Sequence, residues 1–348
     1  MLIEYKKFNS KRRFGIELEV SSVKNQVIRG SSKESVWTDQ FGYRHPCISK
    51  QYIRDIIAKK SSRHIVVTDG IFGDDCPGWA QTSQNDYWHV KYDSTCGPLG
   101  KKKDNGGWEV ASFIAQGQRD LLHIGNVADA LRKAGVEVNN NCGLHIHAEV
   151  KDFAPEQVAV LVARWIKIEP WICQMLPPHR RTNKYCKLLG KHFKYEGVFE
   201  TPEDYWRYIK PSNLNVHENP QKKLAINLVN YAAAIRGEAG HGGYDTSRKT
   251  VELRMPEGTL TSSEIINWTY LYLWFVDFSK NKIMPTDFSQ VPTLEEFLRY
   301  LGLEKDKGVY LLSDELFELK KWILNRMVQW GNLKHKKEAQ KKLKFMEL

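Results

Sequence analysis

Phe14-Gly15-Ile16-Glu17-Leu18-Glu19-Val20 decides how this 348-residue chain is read. Apolar residues hold one parity and two glutamates the other, the two-residue period of a strand whose faces differ. Three further stretches repeat the pattern: Trp88-His89-Val90-Lys91-Tyr92-Asp93, Leu144-His145-Ile146-His147-Ala148-Glu149-Val150 and Val251-Glu252-Leu253-Arg254-Met255. Gathered in one sheet, they would put Glu17, Glu19, Asp93, Glu149 and Glu252 on a single face, with Lys91 and Arg254 as its cations. A solvated antiparallel face also alternates, so alternation alone marks no site. The excess of acids is the informative part, because the whole chain carries 52 Lys+Arg against 41 Asp+Glu. Like charges crowded on one surface repel unless cations sit between them.

Composition sets the outer bounds. With 41% hydrophobic and 27% charged residues, the chain has the make-up of a globular protein. Its longest apolar run, Trp268 to Phe278, is interrupted by Asp277 and is too short to span a bilayer. Met1-Leu2-Ile3-Glu4-Tyr5-Lys6-Lys7 lacks the apolar core of a secretory signal, so a cytoplasmic location without membrane attachment is expected. The six cysteines form no Cys-x-x-Cys pair, which argues against a zinc ribbon and for reduced thiols. Net charge is +11, and Lys334 to Leu348 contributes six Lys against two Glu, read as a solvated helix end or a weak polyanion anchor. The remaining charge admits an anionic substrate such as a nucleotide or nucleic acid.

Along the chain, strands are predicted over 12–20, 64–68, 88–93, 108–113, 144–150 and 250–255. Helices are predicted over 51–60, 119–133, 155–173, 262–280, 293–300 and 313–329. Residues 21–39, 69–86, 97–107 (with Lys101, Lys102 and Lys103), 179–184 and 236–245 read as loops. The order of elements lacks βαβ alternation, which favours an α+β fold with an antiparallel sheet. No early Gly-x-Gly-x-x-Gly opens a dinucleotide fold, and the glycine-rich Gly237–Gly243 stretch lacks the Gly-Lys-Ser/Thr of a P-loop.

Each motif has its own chemistry. Glu17-Leu18-Glu19 places two carboxylates on one face, roughly 7 Å apart at Cα, a pairing suited to hard cations. His145-Ile146-His147 supplies two imidazoles to one side, which suits zinc; with the nearby glutamates a mixed site for Mg²⁺ or Mn²⁺ is equally open. Glu252-Leu253-Arg254 combines a carboxylate with a cation. That is either an ion pair or a site where a polyphosphate bridges the two. Arg180, Arg181 and Lys184 reach phosphates or a substrate carboxylate, or form a solvated basic loop.

Taken in order, FGIELEV at 14–20, WHVKYDST at 88–95, WEVAS at 108–112, NNCGLHIHAEV at 140–150, KLAINLVNY at 223–231 and TVELRMPEGTL at 250–260 resemble the amidoligase family. This family is part of the carboxylate–amine ligase superfamily with glutamine synthetase and glutamate–cysteine ligase. The resemblance implies a curved antiparallel sheet of the glutamine-synthetase type, packed with helices, that binds ATP and Mg²⁺ or Mn²⁺. It also implies a carboxylate phosphorylated by ATP and then attacked by an amine. On that resemblance Glu17, Glu19, Glu109, His145 and Glu252 hold metal. Arg254 contacts the transferring phosphoryl group, and Asp93 and Glu109 serve the chemistry. Arg181 and Lys184 are assigned to phosphate, while His147 and Glu149 receive no assured role. Two departures stand out: Trp108-Glu109-Val110-Ala111-Ser112 lacks the family's proline, and residues 22–86 are long enough to form a rim of their own.

The implied division is a catalytic domain over 1–285, with 22–86 as a variable rim insertion, and a helical C-terminal segment over 286–348 ending in a basic tail. The expected function is an ATP-dependent carbon–nitrogen ligase acting on small-molecule or peptide carboxylates and amines. A nucleic-acid-linked substrate and an oligomeric assembly are left open. Two rivals remain: a zinc hydrolase built on His145 and His147, and a nucleic-acid-binding protein suggested by the +11 charge and the 11 tryptophans.

Overall fold

A computed structural model describes residues 11–21, 34–38, 44–48, 50–67, 87–96, 107–193, 199, 201–212, 219–236, 249–304 and 312–346. Residues 22–33, 69–86, 97–106 and 237–245, all read as loop from sequence, lie outside the described residues. The chain divides into two compact units.

The first unit contains Lys11–His147 and Pro256–Trp268. Its elements are β1 (Arg13–Ser21), β2 (Glu34–Thr38), β3 (Arg44–Ile48), α1 (Lys50–Ala58), β4 (His64–Val67), β5 (Tyr87–Asp93), β6 (Gly107–Ala111), β7 (Ala115–Gln116), α2 (Gly117–Lys133) and β8 (Leu144–Glu149), whose last two residues belong to the second unit. Strand order is β4-β5-β6-β1-β8, with β7 also pairing β1. β5–β6, β6–β1 and β1–β7 are antiparallel, and β4 joins β5 in parallel. The sheet is therefore mostly antiparallel, as the irregular order of elements predicts. β2 and β3 form a separate antiparallel pair; β2 falls within the stretch read as loop, and β3 follows it.

Alternation sets the core of this unit. Phe14, Ile16, Leu18 and Val20 of β1 are buried together with Trp88, Val90, Val110, Leu144 and Ile146. α2 buries Leu121, Ile124, Val127, Ala128 and Leu131, the i, i+3, i+4, i+7 stripe of a helix lying on a core. Phe113 packs edge-on against Trp88 at 5.6 Å between ring centroids and carries the Arg63 guanidinium at 3.6 Å on its face. The Trp88 indole N–H donates to Ser61 Oγ at 3.2 Å, so this large side chain is buried with its polar atom satisfied.

The second unit contains Ala148–Met255 and Thr269–Leu348. It holds α3 (Pro155–Gln174), α4 (Pro178–Arg181), α5 (Leu189–His192), α6 (Pro202–Ile209), β9 (Ile226–Asn227), α7 (Val229–Arg236) and β10 (Thr250–Leu253). These are followed by α8 (Ser262–Ser279, entering from the first unit), α9 (Leu294–Tyr300), α10 (Asp314–Trp330) and α11 (Leu333–Met346). α3 starts on Pro155 and is buried nearly all round, with Trp165 packing on Tyr272 and Phe275 and Trp171 stacking on Phe297. α9 opens on a reciprocal cap, in which Thr293 Oγ1 accepts from Glu296 N and Glu296 Oε2 accepts from Thr293 N. α4 forms where the sequence reads as a basic loop, because Pro178 sits at a helix start and fixes the backbone there. Among the described residues no helix is long and apolar enough to cross a membrane.

Gly107 shows how tightly β6 is seated. A Cβ there would strike the Val20 carbonyl oxygen and lie 2.6 Å from Cys96 Cβ. Gly107→Ala is therefore expected to destabilise the protein by roughly 1–3 kcal/mol, the usual cost of overpacking. Urea unfolding of the variant beside wild type measures it, and an unchanged midpoint would contradict this packing.

Candidate active site

The register of β5, β6 and β1 builds the polar face row by row. Glu17 pairs with Ala111, which pairs with His89; Glu19 pairs with Glu109, which pairs with Lys91; Ser21 pairs with Gly107, which pairs with Asp93. Directly paired residues share a face, so Glu17, Glu19, Glu109, Lys91, His89 and Asp93 all emerge on the side opposite the Trp88–Val90–Leu18 core. Glu19 and Glu109 are only 5% and 7% exposed, so they are not the solvated carboxylates of an ordinary sheet face.

β8 lies on the other side of β1 and completes the cluster. Glu17 is shared by two imidazoles: Oε2 lies 3.2 Å from His145 Nδ1 and Oε1 lies 3.1 Å from His147 Nε2. His145 Nε2 is also 3.4 Å from Glu19 Oε1, and the Gly143 N–H donates to Glu19 Oε2 at 2.5 Å. Lys91 Nζ forms an ion pair with Glu109 Oε1 at 2.7 Å. Asp93 Oδ1 accepts from both the backbone N–H and the hydroxyl of Thr95 at 2.7 Å, fixing the start of the Ser94–Cys96 turn.

Electrostatics separates these carboxyls. Burial pushes Glu17 upward, but the positive charge of His147, hydrogen bonds from His145 and His147, and Lys91 outweigh it and hold the group well below the ordinary range. For Glu109, burial and then the negative charge of Glu17 lift the value to about 7, with Lys91 only partly opposing them. Burial and neighbouring Lys91 depress His89 to about 4. Two glutamates on one face thus differ in protonation near neutrality, the division that acid–base chemistry uses.

The second unit holds the other predicted residues. Glu252 pairs with Asn227 across β10 and β9, and Asn227 Nδ2 donates to Glu252 Oε2 at 2.7 Å. The other oxygen, Oε1, takes Arg254 Nη1, and Arg254 Nε donates to the Tyr185 carbonyl at 3.3 Å. Arg180 lies beneath this strand end, donating to the carbonyls of Met255 and Arg254 at 3.2 and 2.7 Å. Arg181 is engaged elsewhere: its guanidinium donates to the carbonyls of Leu176 and Trp330, tying the end of α3 to the end of α10. Lys184 is exposed, its ammonium 5.0 Å from the Tyr185 ring centroid.

The structure thus brings Glu17, Glu19, Glu109, His145 and Asp93 together within the first unit and pairs Glu252 with Arg254 in the second. It also adds residues that sequence reasoning left aside. His147, read from sequence with His145 as a pair suited to zinc but given no assured role in the ligase reading, holds Glu17. Asn227, which orients Glu252, lies within the KLAINLVNY motif but was given no role of its own. Carboxylates from neighbouring strands with an imidazole between them form an oxygen-rich donor set, matched to a hard divalent cation. Glu17 and Glu19 each carry an oxygen within 3.4 Å of a His145 ring nitrogen, and Glu109 is held beside them by Lys91. Asp93 and Glu19 also place oxygens within 4.8 Å of the Cys96 thiol.

Residues 10–276 match the family model described as "Putative amidoligase enzyme". That span is more than half of the 348 residues, and the chain belongs to the amidoligase family. It is an enzyme of ligase type. No curated protein matches the sequence. Among solved structures, glutamine synthetase from Plasmodium falciparum, determined by cryo-electron microscopy, aligns at TM-score 0.33 and 10% identity over 97% of this chain and 71% of that one. A score of that size carries no argument, and the assignment rests on the family match.

The split between Glu17 and Glu109 has a measurable sign. Glu109 binds its proton more tightly when folded, so its contribution to stability is full below its ordinary value of 4.5 and declines as pH rises towards 7. Glu17 acts in the opposite sense, losing its contribution as pH falls through its depressed value. In chelator-treated protein, carboxyl ¹³C titration should give Glu109 a midpoint near 7. Lys91→Met should raise that midpoint by roughly 1–3 pH units. A midpoint unmoved by the substitution would separate Glu109 from Lys91.

Proposed function

We propose that this protein joins a carboxylate to an amine at the expense of ATP, with Mg²⁺ or Mn²⁺ bound by Glu17, Glu19 and His145 and with Glu109 alongside. The observation that carries this reading is the buried carboxylate–imidazole cluster on the β1–β6–β8 face, next to the Lys91–Glu109 pair. Membership of the amidoligase family supports it.

In the proposed reaction a carboxylate oxygen of one substrate attacks the γ-phosphorus of ATP, ADP leaves, and an acyl phosphate forms. The amine of the second substrate then attacks the acyl carbon, the C–N bond forms, and phosphate departs as the nitrogen loses a proton. A bound divalent cation supplies neutralisation of phosphate charge, the main requirement of phosphoryl transfer. The chain's own side chains orient and move protons. Glu109, with its carboxyl lifted to about 7, accepts the proton lost by the amine. Asp93, fixed by Thr95, receives the incoming ammonium group before it is deprotonated. Arg254, aligned by Glu252, is the cation assigned to the phosphoryl oxygens. Arg181 is omitted from phosphate binding because its donors are engaged by backbone carbonyls.

Substrates in this reading are small molecules or peptides. The test is ADP release across a panel of carboxylates and amines, including polyamines, peptides and modified nucleotides. Glu19→Ala and Glu252→Ala should each lower turnover by at least about 100-fold while circular dichroism stays unchanged. Chelation should abolish turnover, and Mg²⁺ or Mn²⁺ should restore it. Full turnover in either variant, or ATP-independent hydrolysis by protein purified with stoichiometric zinc, would overturn the assignment.

A further inference from the structure

The C-terminal helix α11 has no part in the reading above, yet its lysines are not scattered. It buries Ala339 and half-buries His335, Leu343 and Met346 on one side, and it packs along α10. Lys342 on the flank is tied to Glu304 at 3.1 Å. Lys334, Lys337, Lys341 and Lys344 are all exposed. At about 100° per residue these four fall within an arc of roughly 80° and spread along about 15 Å of helix. Among the described residues none of the four is paired with a carboxylate. The strip is bounded by two exposed apolar side chains, Leu333 at 70% and Phe345 at 65% exposure.

A single face of lysines with an aromatic ring at its end matches the chemistry of a nucleic-acid strand: phosphates for the ammonium groups and a base for the ring. A bilayer is the weaker match. Helices that lie in membrane interfaces immerse a continuous apolar face, whereas the apolar side of α11 turns towards its own protein, with Ala339 buried and Leu343 and Met346 half-buried. We propose that the exposed face of α11 is a docking surface for single-stranded nucleic acid, with Lys334, Lys337, Lys341 and Lys344 on the phosphates and Phe345 stacked on a base. This surface is independent of the ligase reading and stands or falls separately.

The test is binding of a fluorescent oligothymidylate to the full chain over a range of salt concentrations. If each lysine neutralises one phosphate, replacing all four with glutamine should reduce the slope of log K against log salt by about 3. The same variant should weaken binding roughly tenfold or more at low salt, while the all-arginine variant should bind like wild type. Phe345→Ala should weaken oligothymidylate binding but leave binding of inorganic polyphosphate unchanged. Wild-type slope and affinity in the glutamine variant would overturn the proposal. So would lysine-dependent binding to phosphatidylserine vesicles in the absence of oligonucleotide binding, which would make the partner a membrane. An equal loss of oligonucleotide and polyphosphate binding in Phe345→Ala would overturn the single-strand assignment.

Discussion

Everything distinctive about the first unit depends on keeping Glu17 ionised while it is largely removed from water. A buried carboxylate ordinarily gains a proton, since the charged form loses its hydration. Here the compensating groups are close at hand: His145 and His147 bracket Glu17. Glu109 is the member for which the compensation falls short, since Lys91 does not fully offset burial and the negative charge of Glu17. One strand register therefore yields both a charged carboxylate, Glu17, and a carboxyl able to exchange a proton, Glu109.

The second unit solves a similar problem in another way. Glu252 is buried with both oxygens occupied, one by the Asn227 amide and one by Arg254. Such a carboxylate is oriented before any ligand arrives, which lowers the reorganisation a reaction must supply. Arg180 extends the same logic beneath it by binding the carbonyls that end the strand. The basic residues around 180–184 thus divide between structural and exposed positions, with Arg180 and Arg181 bound to main-chain carbonyls and Lys184 facing solvent.

Much of this was legible because a two-residue period writes itself into the sequence. β1, β5, β8 and β10 are legible from parity, β6 from its place across a hairpin from β5, and the unusual concentration of acids on one parity marks Glu17, Glu19 and Glu252 before any pairing is known. What parity cannot encode is which strands are neighbours. His147 has no assured role in the ligase reading of the sequence; its contact with Glu17 follows only once β8 lies beside β1. The short strands β2 and β3 were missed because polar, lysine-rich residues around them mask a backbone pairing that needs no apolar face. Arg181 resembled a phosphate ligand because charge is local information, while the carbonyls of Leu176 and Trp330 that engage it come from distant parts of the chain.

The row arrangement across β5, β6 and β1 carries a consequence for how active molecules arise. A slip of β6 by one residue against β1 would keep most ladder hydrogen bonds but turn Glu109 into the apolar layer and Trp108 or Val110 out of it. The penalty is resisted at one place in particular, Gly107, where Val20 and Cys96 leave no room for a side chain and so reject most residues that a shifted strand would bring there. Refolding the chain is therefore a sorting problem as well as a stability problem. Molecules in the shifted pairing would keep much of their secondary structure without assembling the cluster, so specific activity reports correct strand registration more sensitively than circular dichroism does.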